Sequence, residues 1–69
     1  NKINKPVKKL LIEEVTLYSI LEQKLEIWDV LNQDQKNISL KVKNLSKGIY
    51  ILLFKTNDSK SISKKIIYK

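Results

Sequence analysis

The chain has 69 residues with a formal net charge of +7, and every one of its basic residues is a lysine. It contains no cysteine and no histidine, so disulfide bonds are excluded and neither a zinc site nor histidine-based catalysis is expected. The length allows one domain with a small core, and because the chain begins with Asn1 we expect a piece of a longer protein. No run is long enough to span a bilayer, and the start lacks the apolar centre of a signal peptide, so membrane insertion is not predicted.

The N-terminal part is predicted to form a lead-in followed by two strands. Residues 1–9 are polar and basic and include a proline, which indicates an extended lead-in or an edge strand before a domain at residues 10–69. Val15–Ser19 alternates apolar and polar residues, with its valine and leucine on one face. The alternation resumes in Leu25–Val30, after a turn candidate at Leu21–Lys24.

A helix over Leu10–Leu31 is the alternative for this region, because leucine and tryptophan recur there at helix-compatible spacings. Against it, β-branched residues are frequent in the segment and the chain has no alanine. These residue preferences favour strands.

The C-terminal part alternates loops with strands. Asn32–Asn37 is a polar loop, and Ile38–Val42 has the period-2 pattern of a half-buried strand. Ile49–Phe54 is apolar throughout and reads as a buried strand, followed by a hairpin turn at Thr56–Lys60 and a last strand, Ile62–Tyr68, with interleaved lysines. The whole pattern predicts an all-β protein, a small Ig-like or fibronectin-like antiparallel β-sandwich of about six or seven strands.

The connection before the apolar strand has the form of a tyrosine corner, Leu45-x-x-Gly48-x-Tyr50. The leucine would enter the core, and the single glycine of the chain would let the backbone turn. The tyrosine ring would pack inward while its hydroxyl bonds a backbone group a few residues upstream. The alternative is that Tyr50 is an ordinary strand aromatic at an accidental spacing from Leu45.

No set of side chains is arranged for catalysis, and we expect no catalytic, cofactor-binding or metal-binding site. Glu13 and Glu14 are adjacent in a predicted strand, so they would point to opposite faces and form no acid–base pair. Asp29 and Asp34 offer too few oxygen ligands for a cation, and Ser46 has no base near it. The chain is therefore not expected to be an enzyme.

The lysine excess is the one feature that suggests nucleic-acid binding. Such binders usually use arginine for bidentate contacts and exposed aromatic rings for stacking, whereas this chain has no arginine and few aromatic residues. Lysines along strand edges also protect against aggregation, and the composition is typical of an AT-rich genome. A nucleic-acid partner, which would bind in a salt-sensitive manner, is not expected.

Three blocks of the sequence, Val15–Lys24, Val42–Tyr50 and Ser63–Lys69, resemble the type A C-terminal sorting domain of the Bacteroidetes type IX secretion system. The resemblance covers roughly Lys5 to the end, with the blocks in the family's order and at its spacing. It implies an Ig-like sandwich at the end of a secreted cargo protein, which agrees with the fold predicted from periodicity.

The resemblance implies recognition rather than catalysis. The cargo domain, N-terminal to this one, would cross the inner membrane by a separate signal, and the outer-membrane translocon would recognise the sorting domain in the periplasm. A sortase-like peptidase would then remove the domain, leaving the cargo attached to the cell surface or released. The recognition residues implied by the family belong to the corner and the terminal strand: Leu45, Gly48, Tyr50, Lys64, Lys65, Ile66, Ile67 and Lys69.

The chain departs from the family in two ways. The family often has glycine at Glu22 and near Asp58, so these turns must use ordinary conformations or tolerate strain. The family's first strand is missing or degenerate, with Lys5–Val7 as a candidate remnant. If that strand is absent, exchange of strands between two copies would complete the sheet, and we then predict a homodimer.

An Ig-like accessory module that binds carbohydrate or protein in a secreted enzyme is the alternative function. Exposure of Trp28 and Tyr18 on one face would favour it, because aromatic rings are frequent in binding surfaces.

Overall fold

A computed structural model describes residues 9–69 and shows an all-β architecture. Its four strands form one open antiparallel sheet in the order β2-β1-β3-β4. The predicted lead-in, apart from Lys9, lies outside the described residues, as does the candidate remnant of a first strand. Over residues 9–69 the structure has no helix long and apolar enough to cross a membrane. The strands are β1 (Ile12–Ser19), β2 (Lys24–Asp29), β3 (Gly48–Thr56) and β4 (Ser61–Tyr68).

The helical alternative for Leu10–Leu31 is wrong, since β1 and β2 occupy that segment. The described part of the chain has four strands in one sheet, fewer than the six or seven predicted, and a second sheet is not confirmed. β1 extends the predicted strand Val15–Ser19 back to Ile12, and it includes Glu13 and Glu14, which were expected to lie in a strand. A bulge between Ile12 and Glu14 accommodates the extra residue opposite β3.

The predicted strand at Ile38–Val42 does not form, and its alternation is retained only as far as Leu40. Ile38 and Leu40 are half-buried while the residues between and after them are exposed. Its backbone groups are bonded to side chains instead of a neighbouring strand: Gln33 accepts from the Ser39 N–H at 2.9 Å and donates to its carbonyl at 3.2 Å. Alternation therefore correctly predicted the burial of Ile38 and Leu40 but not the exposure of Val42, which is 44% exposed. A strand ladder also needs a partner strand, which this segment lacks.

One face of the sheet, called the inner face, carries the core. Its central residues are Val15 and Leu17 of β1, which are 0% and 1% exposed. The antiparallel register places Trp28 and Phe54 on either side of Val15, because directly paired residues share a face. The predicted shared face of Val15 and Leu17 is confirmed.

The connection from β2 to β3, residues 30–47, covers the inner face. β2 and β3 both run antiparallel to β1 and lie on opposite sides of it, so the connection must cross β1. Val30 at its start is fully buried, and the Trp28 indole N–H donates to the Lys41 carbonyl at 3.1 Å. Residues 30–47 thus form an irregular second layer over the core.

Gln35 fastens this connection to the beginning of β1. Its side-chain oxygen accepts the Ile12 N–H at 2.7 Å, and its side-chain nitrogen donates to the Ile12 carbonyl at 3.1 Å. The same nitrogen lies 3.2 Å from the Val30 carbonyl. The amide group therefore bonds Ile12 as a neighbouring strand would, with one donor and one acceptor.

The two hairpin turns have the same construction. In each, the last residue of the strand, Ser19 or Thr56, donates its N–H at 2.9 Å to the carbonyl four residues later. The residue three positions on, Glu22 or Ser59, adopts a left-handed conformation with φ of 65° or 69°. This is a three-residue loop whose third position favours glycine. The glycines expected from the family resemblance are therefore replaced by strained residues.

We predict that Glu22→Gly and Ser59→Gly each stabilise the fold by about 0.5–1 kcal/mol, because glycine removes the left-handed penalty of a residue with a Cβ. Urea denaturation would measure the change. Lys24→Gly, at an extended position of β2, is the matched control and should destabilise by about 0.5–1 kcal/mol. Destabilisation by all three substitutions would contradict the assignment of strain to these turns.

Candidate functional site

The predicted site residues separate into two groups in the structure. Leu45, Gly48, Tyr50 and Ile66 are buried or half-buried around the start of β3. The others are exposed along β4 and at the residue after it. The first group supports the fold, and the second is available to a partner: Lys64, Lys65, Ile67 and Lys69.

The tyrosine corner is confirmed. Tyr50 is 8% exposed, and its hydroxyl donates to the Ser46 carbonyl at 2.5 Å. Leu45 is half-buried beside this bond. Because the acceptor lies four residues upstream, the bond joins the end of the crossing connection (Ser46) to the first residues of β3.

Gly48 lets the backbone enter β3 at this corner. Its φ is +156°, a value that residues with a Cβ rarely adopt, while a Cβ built there would only contact the Tyr50 ring at 3.8 Å. Conformation rather than crowding therefore explains why the chain's single glycine is placed here.

Ile66 connects the corner to the terminal strand. It pairs with Tyr50 in the register of β3 and β4, so both side chains are on the inner face. It is the one residue of β4 that is not exposed. A structural role is thus sufficient to explain Ile66.

The exposed part of β4 offers both backbone and side-chain groups that a partner could contact. Among residues 9–69, β4 pairs with β3 alone, so its other edge presents backbone groups that another strand can bond. Lys64 and Lys65 project to opposite faces, opposite Leu52 and Ile51. Ile67 is 65% exposed, so it presents apolar surface on the outer side of the strand.

Charge is divided between the two halves of the sheet. Residues 13–34, which contain β1 and β2, carry six carboxylates and one lysine. Residues 36–69, which contain β3 and β4, carry nine lysines and one carboxylate, Asp58. No cluster of three acidic residues that could hold a metal ion occurs within residues 9–69. β4 therefore lies in a strongly positive half of the domain, which favours an acidic partner surface.

The turn before β4 is stabilised by its carboxylate. The Thr56 hydroxyl is 2.5 Å from Asp58 Oδ1, and the Lys60 N–H donates to the same oxygen at 3.2 Å. The hydrogen bond from Thr56 is the main cause that lowers the pKa of Asp58 below its ordinary value, with smaller contributions from Lys60. The ionised carboxylate thus favours the turn that positions β4.

Two polar side chains that hold the fold around the site, Asn57 and Gln35, were not predicted from the sequence. Asn57 holds the chain entering β1: its side chain accepts the Leu11 N–H at 3.2 Å and donates to the Lys9 carbonyl at 3.0 Å. Gln35 acts similarly from the crossing connection. Both residues occur in polar stretches whose composition predicts a loop, and no sequence signal distinguishes them from neighbours that face solvent.

The aromatic surface expected of a carbohydrate-binding module is absent from the described sheet. Trp28 pairs with Val15 and therefore lies on the inner face. Tyr18 lies three residues after Val15 on β1, an odd number, so its side chain lies on the opposite face. Both are half-buried. The observation that would have favoured this module, both rings exposed on one face, is not met, because the strand register separates them.

The fold and the site together define a small all-β domain with a tyrosine corner and an exposed, lysine-rich terminal strand. A family model described as "Secretion system C-terminal sorting domain" matches residues 2–69. The chain belongs to this family of type IX secretion sorting domains, which confirms the resemblance noted in its sequence. No curated protein and no solved structure gives a significant match.

Removal of the corner hydrogen bond should weaken the fold. We predict that Tyr50→Phe lowers the free energy of unfolding by about 1 kcal/mol, the usual net value of one such bond. Tyr68→Phe, on an exposed residue of β4, should change it by less than about 0.5 kcal/mol. Equal effects of the two substitutions in urea denaturation would argue against a special role for the bond to Ser46.

The lowered pKa of Asp58 predicts a loss of stability in acid. Its contribution is complete above the ordinary value of 3.8 and disappears as the pH falls through the lower folded-state pKa. Urea midpoints measured from pH 5 to pH 2 should therefore fall more steeply for the parent chain than for Asp58→Asn. Parallel curves would show that the carboxylate does not contribute.

Proposed function

We propose that this domain is an export address that the outer-membrane translocon of the type IX system reads from the exposed side of β4. Family membership establishes a C-terminal sorting role. The observation that supports β4 as the part that is read is its exposure: seven of its eight residues are exposed. The strand offers a free backbone edge, lysine charges on both faces and an outward isoleucine.

The lysine and isoleucine side chains give the strand two kinds of contact. Lys64 and Lys65 provide charge on opposite faces, which steers an acidic partner and fixes its orientation. Ile67 provides exposed apolar surface, whose burial supplies affinity. A partner strand that adds to the β4 edge would use all of these groups together.

The proposed pathway follows from this role in recognition. The cargo domain crosses the inner membrane by its own signal, and the translocon binds the folded sorting domain in the periplasm. A sortase-like peptidase then removes the domain, so that the cargo is attached to the surface or released. In this proposal the domain has no catalytic activity and binds neither cofactor nor nucleic acid.

We also propose that the complete domain is an Ig-like sandwich. The tyrosine corner supports this, since it is a feature of that architecture, and so does the irregular second layer formed by residues 30–47. Binding of carbohydrate is not proposed, because Trp28 and Tyr18 lie on opposite faces of the sheet.

A periplasmic reporter fused to the chain would test the address in a host that has the type IX system. The double variant Lys64→Glu/Lys65→Glu should reduce the exported fraction by about tenfold or more, because two attractive charge contacts become repulsive. Ile67→Ser should also reduce it. Lys41→Glu/Lys43→Glu makes the same change of charge at exposed positions of the crossing connection and should export normally.

The comparison is informative only if the variants fold. Their free energies of unfolding, measured by urea denaturation, should therefore agree with that of the parent chain within about 0.5 kcal/mol. Deletion of Ser61–Lys69 should leave the reporter in the periplasm. Normal export of the β4 variants, or an equal loss in the Lys41→Glu/Lys43→Glu control, would refute the role assigned to the strand.

A further inference from the structure

The two edges of the described sheet differ in regularity. β4 has eight residues and pairs with β3 without any shift in register. β2, at the opposite edge, has six residues, and a bulge at Leu25 interrupts its pairing with β1. Short length and bulges are two ways in which proteins prevent an edge strand from accepting a further strand. β4 has neither, so its backbone is suited to strand addition.

The hydrogen bonds of the hairpin between β3 and β4 identify the backbone groups on the free edge. The Thr56 N–H donates to the Lys60 carbonyl at 2.9 Å, so these two residues form a bonded pair. Bonded and unbonded pairs alternate along an antiparallel ladder, and the register continues unbroken to the pair of Gly48 and Tyr68. The N–H and carbonyl groups of every second residue of β4 therefore point away from β3: Ser61, Ser63, Lys65 and Ile67.

The lysines of β4 determine which strand this edge accepts. Lys64 pairs with Leu52 and lies on the inner face, whereas Lys65 pairs with Ile51 and lies on the opposite, outer face. Like charges directly opposite one another destabilise a strand pair. A second copy of β4 in a centred antiparallel register would bring the lysines of both strands together, so it is disfavoured. Residues 1–8 contain three lysines and no carboxylate, and they are disfavoured for the same reason.

We propose that the translocon contributes an extended strand that adds to the free edge of β4 and carries two adjacent acidic residues, one opposite Lys64 and the other opposite Lys65. This inference rests on the export address proposed above and specifies how that address is read. Apolar residues of the added strand cover Ile62 and Ile67, which are 55% and 65% exposed. In this mode of recognition the backbone bonds supply affinity, and the side chains on alternate faces supply specificity.

Hydrogen exchange measured by NMR tests the free edge in the chain by itself. The amides of Ile62, Lys64 and Ile66 are bonded to β3 and should be protected. Those of Ser63 and Lys65 should exchange about tenfold faster or more, because they point to solvent. Slow exchange at Ser63 and Lys65 would show that this edge is already occupied, by a second copy or by another part of the chain, and would overturn the proposal.

Proline substitution tests the backbone separately from the side chains. Ser63→Pro removes one outward N–H, and an edge strand tolerates proline where the N–H would face solvent. In the reporter fusion it should reduce the exported fraction by about tenfold or more, because the added strand loses a bond and meets the proline ring. Ser63→Ala removes the same hydroxyl but keeps the N–H, so it should export normally. If circular dichroism shows that Ser63→Pro does not fold, Ser61→Pro replaces it, since the first residue of a strand also tolerates proline, with Ser61→Ala as its control.

Single charge reversals distinguish strand addition from docking on one face of the sheet. Lys64→Glu and Lys65→Glu should each reduce export by about threefold, the effect of one unfavourable cross-strand charge pair. A loss in only one of them would mean that the partner packs on one face, and it would overturn the added strand.

The proline variant and the double charge reversal together separate this inference from the export address. Normal export of the folded proline variant, when Lys64→Glu/Lys65→Glu blocks export, would overturn the added strand and leave the address intact. Normal export of both would refute the address as well. Loss of export in both, with normal export of the alanine control, is the expected result.

Discussion

The path of the chain between β2 and β3 is the constraint on which the rest of the structure depends. These strands flank β1 and run in the same direction, so a tight turn cannot join them and the connection must cross the sheet. Crossing buries Val30 and brings residues 30–47 over Val15 and Leu17. The small core therefore exists because a loop covers it.

A crossing loop of this kind is stable only if its ends and its middle are attached. Gln35 attaches it to β1 with a donor and an acceptor, the Trp28 indole bonds the Lys41 carbonyl, and Tyr50 closes its end on Ser46. Each bond joins a side chain to a backbone group, which compensates for the absence of a strand ladder in the loop. Backbone groups in the sheet are therefore bonded by the strand ladders, and the backbone of the crossing loop is bonded in part by side chains.

As a result, most of β4 is not needed to hold the core together. The corner needs Ile66 beside Tyr50, but it needs no other side chain of the terminal strand. The remaining residues of β4 are exposed at the edge of the sheet. The exposed residues of β4 can therefore vary without loss of the fold, since the corner depends on a different residue of the same strand.

The sequence predicted the elements that depend on local patterns. Alternation located most of β1, β2 and β4, and it correctly placed Ile38 and Leu40, but not Val42, on the half-buried side of residues 38–42. The spacing of Leu45, Gly48 and Tyr50 predicted the corner and its hydrogen bond. It left open whether the turns at Glu22 and near Asp58 use ordinary conformations or tolerate strain. The structure shows the second, with Glu22 and Ser59 in left-handed conformations, because strain persists where the surrounding structure fixes it.

The amino-acid sequence by itself determined that the chain is all-β with a tyrosine corner, because period-2 alternation and a fixed motif are properties of neighbouring residues. The sorting role came from the resemblance of its sequence blocks to a family, which the family match confirms. Only the tertiary structure decided that Ile38–Val42 has no ladder, that Trp28 and Tyr18 face opposite ways, and that Ile67 rather than Ile66 is exposed. These outcomes depend on strand order and register, which bring together residues far apart in the chain. No local pattern contains that information.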